Sequence, residues 1–333
     1  MNATPFHPDE LAAQALAGQT AKGLGIRNFM PDQHRSFFEL LPYLFVAITD
    51  ANGWPLATML TGQAGFVHSL DPVTLRVDAL PAALDPAAAA FARSREIAIL
   101  GLDLSTRRRN RANGHIVDLD AGGFTVAVRQ SFGNCAKYIQ RREAHHAPSA
   151  PVLPDRLTNL DTAARALIAS ADTFLVASRS RAEFGAAGGI DVSHRGGRPG
   201  FVQVQGDILT IPDYPGNRYY NTLGNLLGDP RGSLLFIDFE TGDLLQLQGM
   251  VTIDWSSQAT SLVHGAERLW RFDVVGGWWR RAASALRWSF LDYSPVTLST
   301  GTWNGMAASP ATLAPDHMNE GVGERSCADA PAG

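Results

Sequence analysis

Ser193-His194-Arg195 sets a hydroxyl, an imidazole and a guanidinium at consecutive positions just before Gly196-Gly197. Such donors suit an anion, or the edge of a ring that gathers negative charge, although a solvated strand edge would read alike. Further on, residues 211–217 hold two prolines and a Gly-Asn, a stiff segment whose backbone a planar ring can approach. A tight surface loop is the plainer alternative. Arg218 then precedes a short helical pattern. Asn221 or Thr222 can cap it, Leu223, Leu226 and Leu227 share an apolar face, and Asp229-Pro230 stops it. A helix start with spare N–H groups beside a guanidinium is where a phosphate would be held. Asn225, one turn in, joins the candidates.

A second source of charge lies in the first half of the chain. Thr106, Arg107, Arg108, Arg109, Asn110 and Arg111 read as a charged hairpin, solvated or facing the cluster above, with Arg109 and Arg111 as the candidate contacts. Gln246 and Gln248 fall on one face of a later strand and are candidates of the same kind. Cys135, two residues from Lys137, could have a lowered thiol pKa or be a structural thiol. His145-His146 lacks a second ligand pair, so no zinc site is expected. No Gly-x-Ser-x-Gly elbow, phosphate-binding P-loop or Gly-x-Gly-x-x-Gly after a strand occurs, which argues against a serine hydrolase, a nucleoside triphosphatase and a dinucleotide-binding α/β domain.

The elements that must position these residues are mainly strands. Residues 201–204, 208–211 and 234–239 are branched and aromatic runs bounded by Gly, Pro, Asn and Asp. Residues 44–49 and 55–60 flank Asn52-Gly53, a hairpin signal. Residues 87–93 form an alanine-rich helix after Asp85-Pro86, residues 31–41 an amphipathic helix, and residues 163–170 a helix capped by Asp161 and leading to a strand at 173–177. An offset of 135 residues places Thr58 on Ser193, Gly62 on Gly197, residues 65–67 on 200–202, Asp103 on Asp238 and Gly114 on Gly249. The chain is therefore expected to carry two diverged copies of one barrel. The expected division is an N-terminal extension over 1–35, a first copy over 36–145, a linker over 146–160, a second copy over 161–295 and a mobile tail over 305–333.

The order of basic strand, hairpin, capped helix, the Asp-Pro-Arg-Gly-Ser-Leu-Leu-Phe-Ile-Asp-Phe stretch and a Gln-bearing strand resembles the flavin-binding split barrels related to pyridoxamine 5′-phosphate oxidase. The resemblance is closest to a bacterial branch with two motifs, found here at residues 132–142 (FGNCAKYIQRR) and 212–227 (PDYPGNRYYNTLGNLL), and it covers roughly residues 5–290. It implies a mainly β fold with flanking helices, two tandem split barrels, and a site for flavin mononucleotide (FMN) between two barrels, with Pro212, Asp213 and Tyr214 as the ring-edge and ribityl contacts. The implied activity is an FMN-dependent oxidoreductase that moves hydride to or from a small-molecule substrate, with NAD(P)H or another reductant as partner and a homodimer as the assembly. Where the oxidases proper carry Ser-Arg-Lys at the helix start, this chain has Tyr220-Asn221-Thr222, so the phosphate would fall to Asn221, Thr222, helix N–H groups and Arg195 or Arg218. No Arg-x-His occurs, so the oxidase activity itself is not expected. A non-catalytic flavin carrier, or a haem protein using His194 or His264, are the alternatives.

Composition sets the outer bounds. The 333 residues are 45% hydrophobic and 18% charged with a net charge of −4, without the basic stripe of a nucleic-acid binder or the apolar run of a membrane span. Only Lys22 and Lys137 are lysines, so an anion here is gripped by guanidinium groups. Two cysteines cannot build a disulfide framework, and no secretory signal is visible, so a cytoplasmic, reduced setting is expected.

Overall fold

The computed structural model describes residues 4–256 and 262–303. The expected tail beyond residue 305, with Cys327, lies outside them. The fold is mainly β with flanking helices, and its strand pairings are antiparallel. Helix α1 (Pro8–Leu16) opens the chain. It starts on a reciprocal cap in which Glu10 N–H donates to the His7 ring and His7 N–H donates to Glu10 Oε2, with Pro8 in the first turn.

The first copy comprises α2 (Asp32–Glu39), β1 (Tyr43–Thr49), β2 (Pro55–Thr61), β3 (Val67–Asp71), β4 (Thr74–Val77), α3 (Pro86–Phe91), β5 (Glu96–Asp103), β6 (Arg108–Leu119) and β7 (Phe124–Gly133). Its strands lie in the order β2-β1-β5-β6-β7-β4-β3. Two strands follow, β8 (Arg141–His146) and β9 (Asp155–Leu157). The second copy comprises α4 (Thr162–Ser170), β10 (Thr173–Arg179), β11 (Ile190–Gly196), β12 (Gln203–Gln205), β13 (Ile208–Asp213), α5 (Asn221–Gly228), β14 (Arg231–Ile237), β15 (Leu244–Asp254) and β16 (Arg268–Arg280). Its order, β11-β10-β14-β15-β16-β13-β12, repeats the first strand for strand. The 135-residue offset carries β2 onto β11, β5 onto β14 and the start of α3 onto that of α5. Gly62 and Gly197 show why glycine recurs at it: a Cβ on either would lie 2.4 Å from the ring of Phe66 or Phe201.

Alternation within the strands builds three cores. In the first copy, all seven strands turn one face to a common core holding Leu44, Val46, Leu56, Val67, Leu75, Ile97, Ala112 and Phe124, so the sheet has to curl around it. The second copy curls likewise around Phe174, Val176, Leu209, Leu234, Leu245 and Trp270, but no residue of β11 joins that core. The outward faces of β1, β2, β5, β10, β11 and β14, with Phe45, Ala47, Leu100, Leu175, Ala177, Val192 and Leu235, meet in a third core between the copies. Strands apolar on both faces read as the continuous hydrophobic runs seen in the sequence.

Several expectations change. The stretch expected to be a linker takes in the last residue of β8, which pairs with β17 (Leu286–Asp292), and all of β9, which pairs with β16. Phe201 precedes β12 and stacks on Phe174. Neither Asn221 nor Thr222 caps α5. The N-cap is Tyr220, whose left-handed backbone (φ +60°) supplies no side-chain bond. The described chain ends with α6 (Pro295–Leu298) and the residues up to Trp303.

Candidate functional site

Strand β11 departs from its counterpart in charge. At the offset where β2 puts Leu56 and Leu60 into the first core, β11 has Asp191 and Arg195, with Ser193 between them. That face opens on a cleft with a cavity volume of about 110 Å³. Its walls include Arg109, Arg111, Ser193, His194, Arg195, Pro212, Asp213, Tyr214, Arg218, Asn221 and Thr222. Three candidates lie elsewhere, among them Gln248, which donates to Asp50 Oδ2 at 3.1 Å. Asn225 sits on the far side of α5, bonding His7 and Ser178. Gln246 reaches across to the first copy and donates to Ala57 O at 2.8 Å.

One corner of the cleft suits an anion. Arg111, on β6, extends across the copies to Ser193 Oγ (2.6 Å), Asp191 (2.9 Å) and Asn221 Oδ1 (3.4 Å), with its guanidinium 4.9 Å from the Phe132 ring centroid. Thr222 Oγ1 donates to Ser193 Oγ at 2.9 Å, and Ser193 donates to Asp191 at 3.0 Å. The first N–H groups of α5, with no side-chain cap, open the helix beside these hydroxyls. Arg218 and Tyr220 both hold positive φ where that helix begins, a turn geometry uncommon for residues with a Cβ. Burial lowers the pKa of Arg111, with Asp191 opposing, and its Nε has no protein partner among the described residues.

The equivalent place in the first copy shows what such a corner holds. There Asp85 caps α3, accepting from Ala87 N at 2.8 Å, and its carboxylate also takes Thr58, the counterpart of Ser193, and Arg280 at 2.7 Å. Gln246, the counterpart of Arg111, comes within 3.4 Å of it. A built-in carboxylate thus fills the corner at one helix start. At the other, position 220 is a tyrosine and the acid is gone.

The floor of the cleft is an ion-pair clamp. Asp213 ends β13 between Arg195 and Arg268, each at 2.5 Å, and Arg268 arrives from β16 through the Asp213–Arg268 register pair. With both oxygens held, Asp213 fixes the two guanidiniums at the wall of the cleft. Pro212 sits in β13 beyond the stretch paired with β12, so its missing N–H breaks no bond on that side. Tyr214 is a packed wall, donating to Gly301 O and stacked 5.2 Å from Tyr138.

The loop after β7 closes the outer side. Asn217 Nδ2 donates to Asn134 Oδ1 at 3.1 Å and Tyr138 donates to Pro215 O at 3.2 Å, so the two motif segments brace each other. Arg109 donates from Nε to Cys135 O at 2.8 Å and lies 3.4 Å from His194 Nδ1; burial and the neighbouring Arg111 push its pKa down to about 10. His194 faces away from Ser193 and Arg195, and burial together with Arg109 holds it neutral. His264 is exposed and is not among the residues lining the cleft. Asn134, Lys137, Tyr138, Tyr220, Glu267 and Arg268 also line the cleft and were not singled out for it from the sequence. The motif at residues 132–142 was a signal for the first three. Spacing carried none for Glu267 and Arg268, which strand pairing delivers.

No family model matches the chain, and no curated protein sequence matches it. Among solved structures, HupZ of Group A Streptococcus aligns with a TM-score of 0.27 and 13% identity over 34% of this chain and 89% of that one. A protein from Mesorhizobium loti described as FAD-binding aligns with a TM-score of 0.25 and 14% identity over 38% of this chain and 98% of that one. Both likenesses are too slight to assign a ligand. No helix among the described residues is long and apolar enough to cross a membrane, and no group of three or more His, Cys, Asp or Glu among them is placed to hold a metal ion.

Proposed function

We propose that the cleft binds FMN, one per chain, and that the protein is an FMN-dependent oxidoreductase. The observation that carries this reading is the uncapped start of α5, flanked by Arg111, Ser193 and Thr222, at the place where the other copy supplies the Asp85 carboxylate. Arg111, the two hydroxyls and the helix N–H groups would hold the phosphate, with Arg218 at the rim. When bound, the flavin supplies hydride transfer. Arg195, kept in place by Asp213, offers a fixed positive charge to a ring that gains negative charge, and the Tyr138–Tyr214 stack shields that side from water. The first copy's corner is filled by its own side chains, so it takes no second flavin. Both walls of the cleft come from one chain, so the two copies supply the pair of barrels that the resemblance assigns to a homodimer.

The purified protein is expected to show the paired near-ultraviolet and blue bands of an oxidised flavin, and FMN titration of flavin-stripped protein to end at one per chain. Arg111→Gln should raise the FMN dissociation constant by roughly 10- to 100-fold, the worth of a charged hydrogen bond. NADH or NADPH should bleach the blue band in stopped flow. A protein that takes up no FMN removes the flavin reading, and loaded protein that no common reductant bleaches removes the oxidoreductase.

A further inference from the structure

The cleft holds more positive charge than one phosphate needs. Arg109, Arg111, Lys137, Arg195, Arg218 and Arg268 line it against Asp213 and Glu267. Arg111 is paired with Asp191, Arg195 and Arg268 share Asp213, and Arg268 also meets Glu267. Arg109 has no carboxylate within ion-pair distance among the described residues. Its Nε is spent on Cys135 O and its Nη1 on His194, whose ring is neutral; Arg111 and Arg195 repel it, and Cys135 alone among these neighbours favours its charge. Among the described residues Nη2 makes no hydrogen bond and Lys137 forms no ion pair. A guanidinium drawn into a protein without a counter-charge is costly, which is a reason to expect an anion beside it.

We propose that Arg109 Nη2 and the Lys137 ammonium receive a carboxylate of the substrate, so that the protein acts on a small carboxylic acid or its conjugate base. This rests on the flavin reading for the chemistry but not for the subsite. The hydroxyls and helix N–H groups that suit a phosphate are gathered at the Arg111 corner. Arg109 and Lys137 offer two nitrogen donors to the two oxygens of a carboxylate, with no hydroxyl or helix start of their own. The loop 134–138 that carries Lys137 is braced to the loop 214–217 through Asn134–Asn217 and Tyr138–Pro215, so the ammonium is carried on a held backbone rather than a loose one. The Tyr138 and Tyr214 rings supply a flat apolar wall for the rest of the molecule.

Benzoate and its neutral isostere benzamide are the probes, titrated into FMN-loaded protein while the flavin spectrum is followed. Benzoate should bind saturably and benzamide at least about tenfold more weakly. Arg109→Gln and Lys137→Gln should each weaken benzoate roughly tenfold while FMN affinity stays within about threefold. Equal affinity for the two probes, no binding of benzoate, or loss of FMN from Arg109→Gln on the scale of Arg111→Gln would overturn the proposal. Lys137→Gln, on a half-exposed side chain, decides the matter where Arg109→Gln misfolds. If the wild-type protein takes up no FMN, the flavin reading falls by itself, and calorimetry of the same probes and variants on the unliganded protein still decides the subsite.

Discussion

Replacing Glu10 with Gln probes how α1 is joined to the anion corner. Glu10 is 4% exposed, its carboxylate accepts from His7 N–H and Asn221 Nδ2, and Asn221 in turn accepts from Arg111. Burial, reinforced by nearby Asp191, raises its pKa from 4.5 to about 7 against those hydrogen bonds. A carboxyl whose pKa is higher in the folded state lends stability that is fully present below about 4.5 and lost as pH rises through about 7. At 1.36 kcal/mol for each tenfold step, the gap of about 2.5 amounts to about 3 kcal/mol. Glutamine cannot ionise. The stability of the wild type minus that of Glu10→Gln should therefore fall by about 3 kcal/mol between roughly pH 4 and pH 8. His7, whose pKa burial lowers, acts in the opposite sense and is common to both proteins. Urea unfolding followed by tryptophan fluorescence at several pH values measures the difference. Two parallel stability curves would show that Glu10 does not titrate in this window, and would refute the reasoning.

Two further substitutions test the packing that holds the cleft. Gly224→Ala adds a Cβ 2.6 Å from Glu10 Cα and 2.9 Å from its backbone N, so it should cost roughly 1–3 kcal/mol of stability, whereas Gly216→Ala meets nothing within 4 Å and should cost much less; equal losses in thermal unfolding would deny the close approach of α1 to α5. Arg280→Ala strands the fully buried Asp85 carboxylate and should cost roughly 3–5 kcal/mol, a loss that Asp85→Asn in the same chain should largely recover; a double mutant as unstable as the single one would count against the ion pair as the plug of the first copy's corner.

Much of the fold is legible in the chain because its central strands are buried on both faces and read as continuous branched and aromatic runs. The expected strand at 55–60 differs from β2 by one residue, and the helix that Asp161 was expected to cap begins one residue early with that cap in place. The elements that escaped notice are those whose partners are remote. The reciprocal cap of α1 uses a histidine where Ser, Thr, Asp or Asn is the usual signal. β8 carries Arg, Glu and His and owes its strand form to β17, more than a hundred residues later. The candidate site divides along the same line. Asp191 and Arg195 stand out because they occupy positions that are leucine in the other copy, whereas Arg268 enters only because β16 pairs with β13 at Asp213. Gln246 shares its offset with Arg111, but equivalence carries it to the other corner, opposite Ala57. Alternation likewise sends His194 to the opposite face from its neighbours, a consequence of strand geometry that a cluster of adjacent letters hides.

Joining the two copies in one chain gives every position of the barrel two separate addresses. In a dimer of identical subunits, an acid introduced at one helix start appears at both and closes both corners together. Here Asp85 and Tyr220 answer to different demands: one copy has become a permanently stoppered wall that braces the assembly, and its twin is free to keep an open mouth.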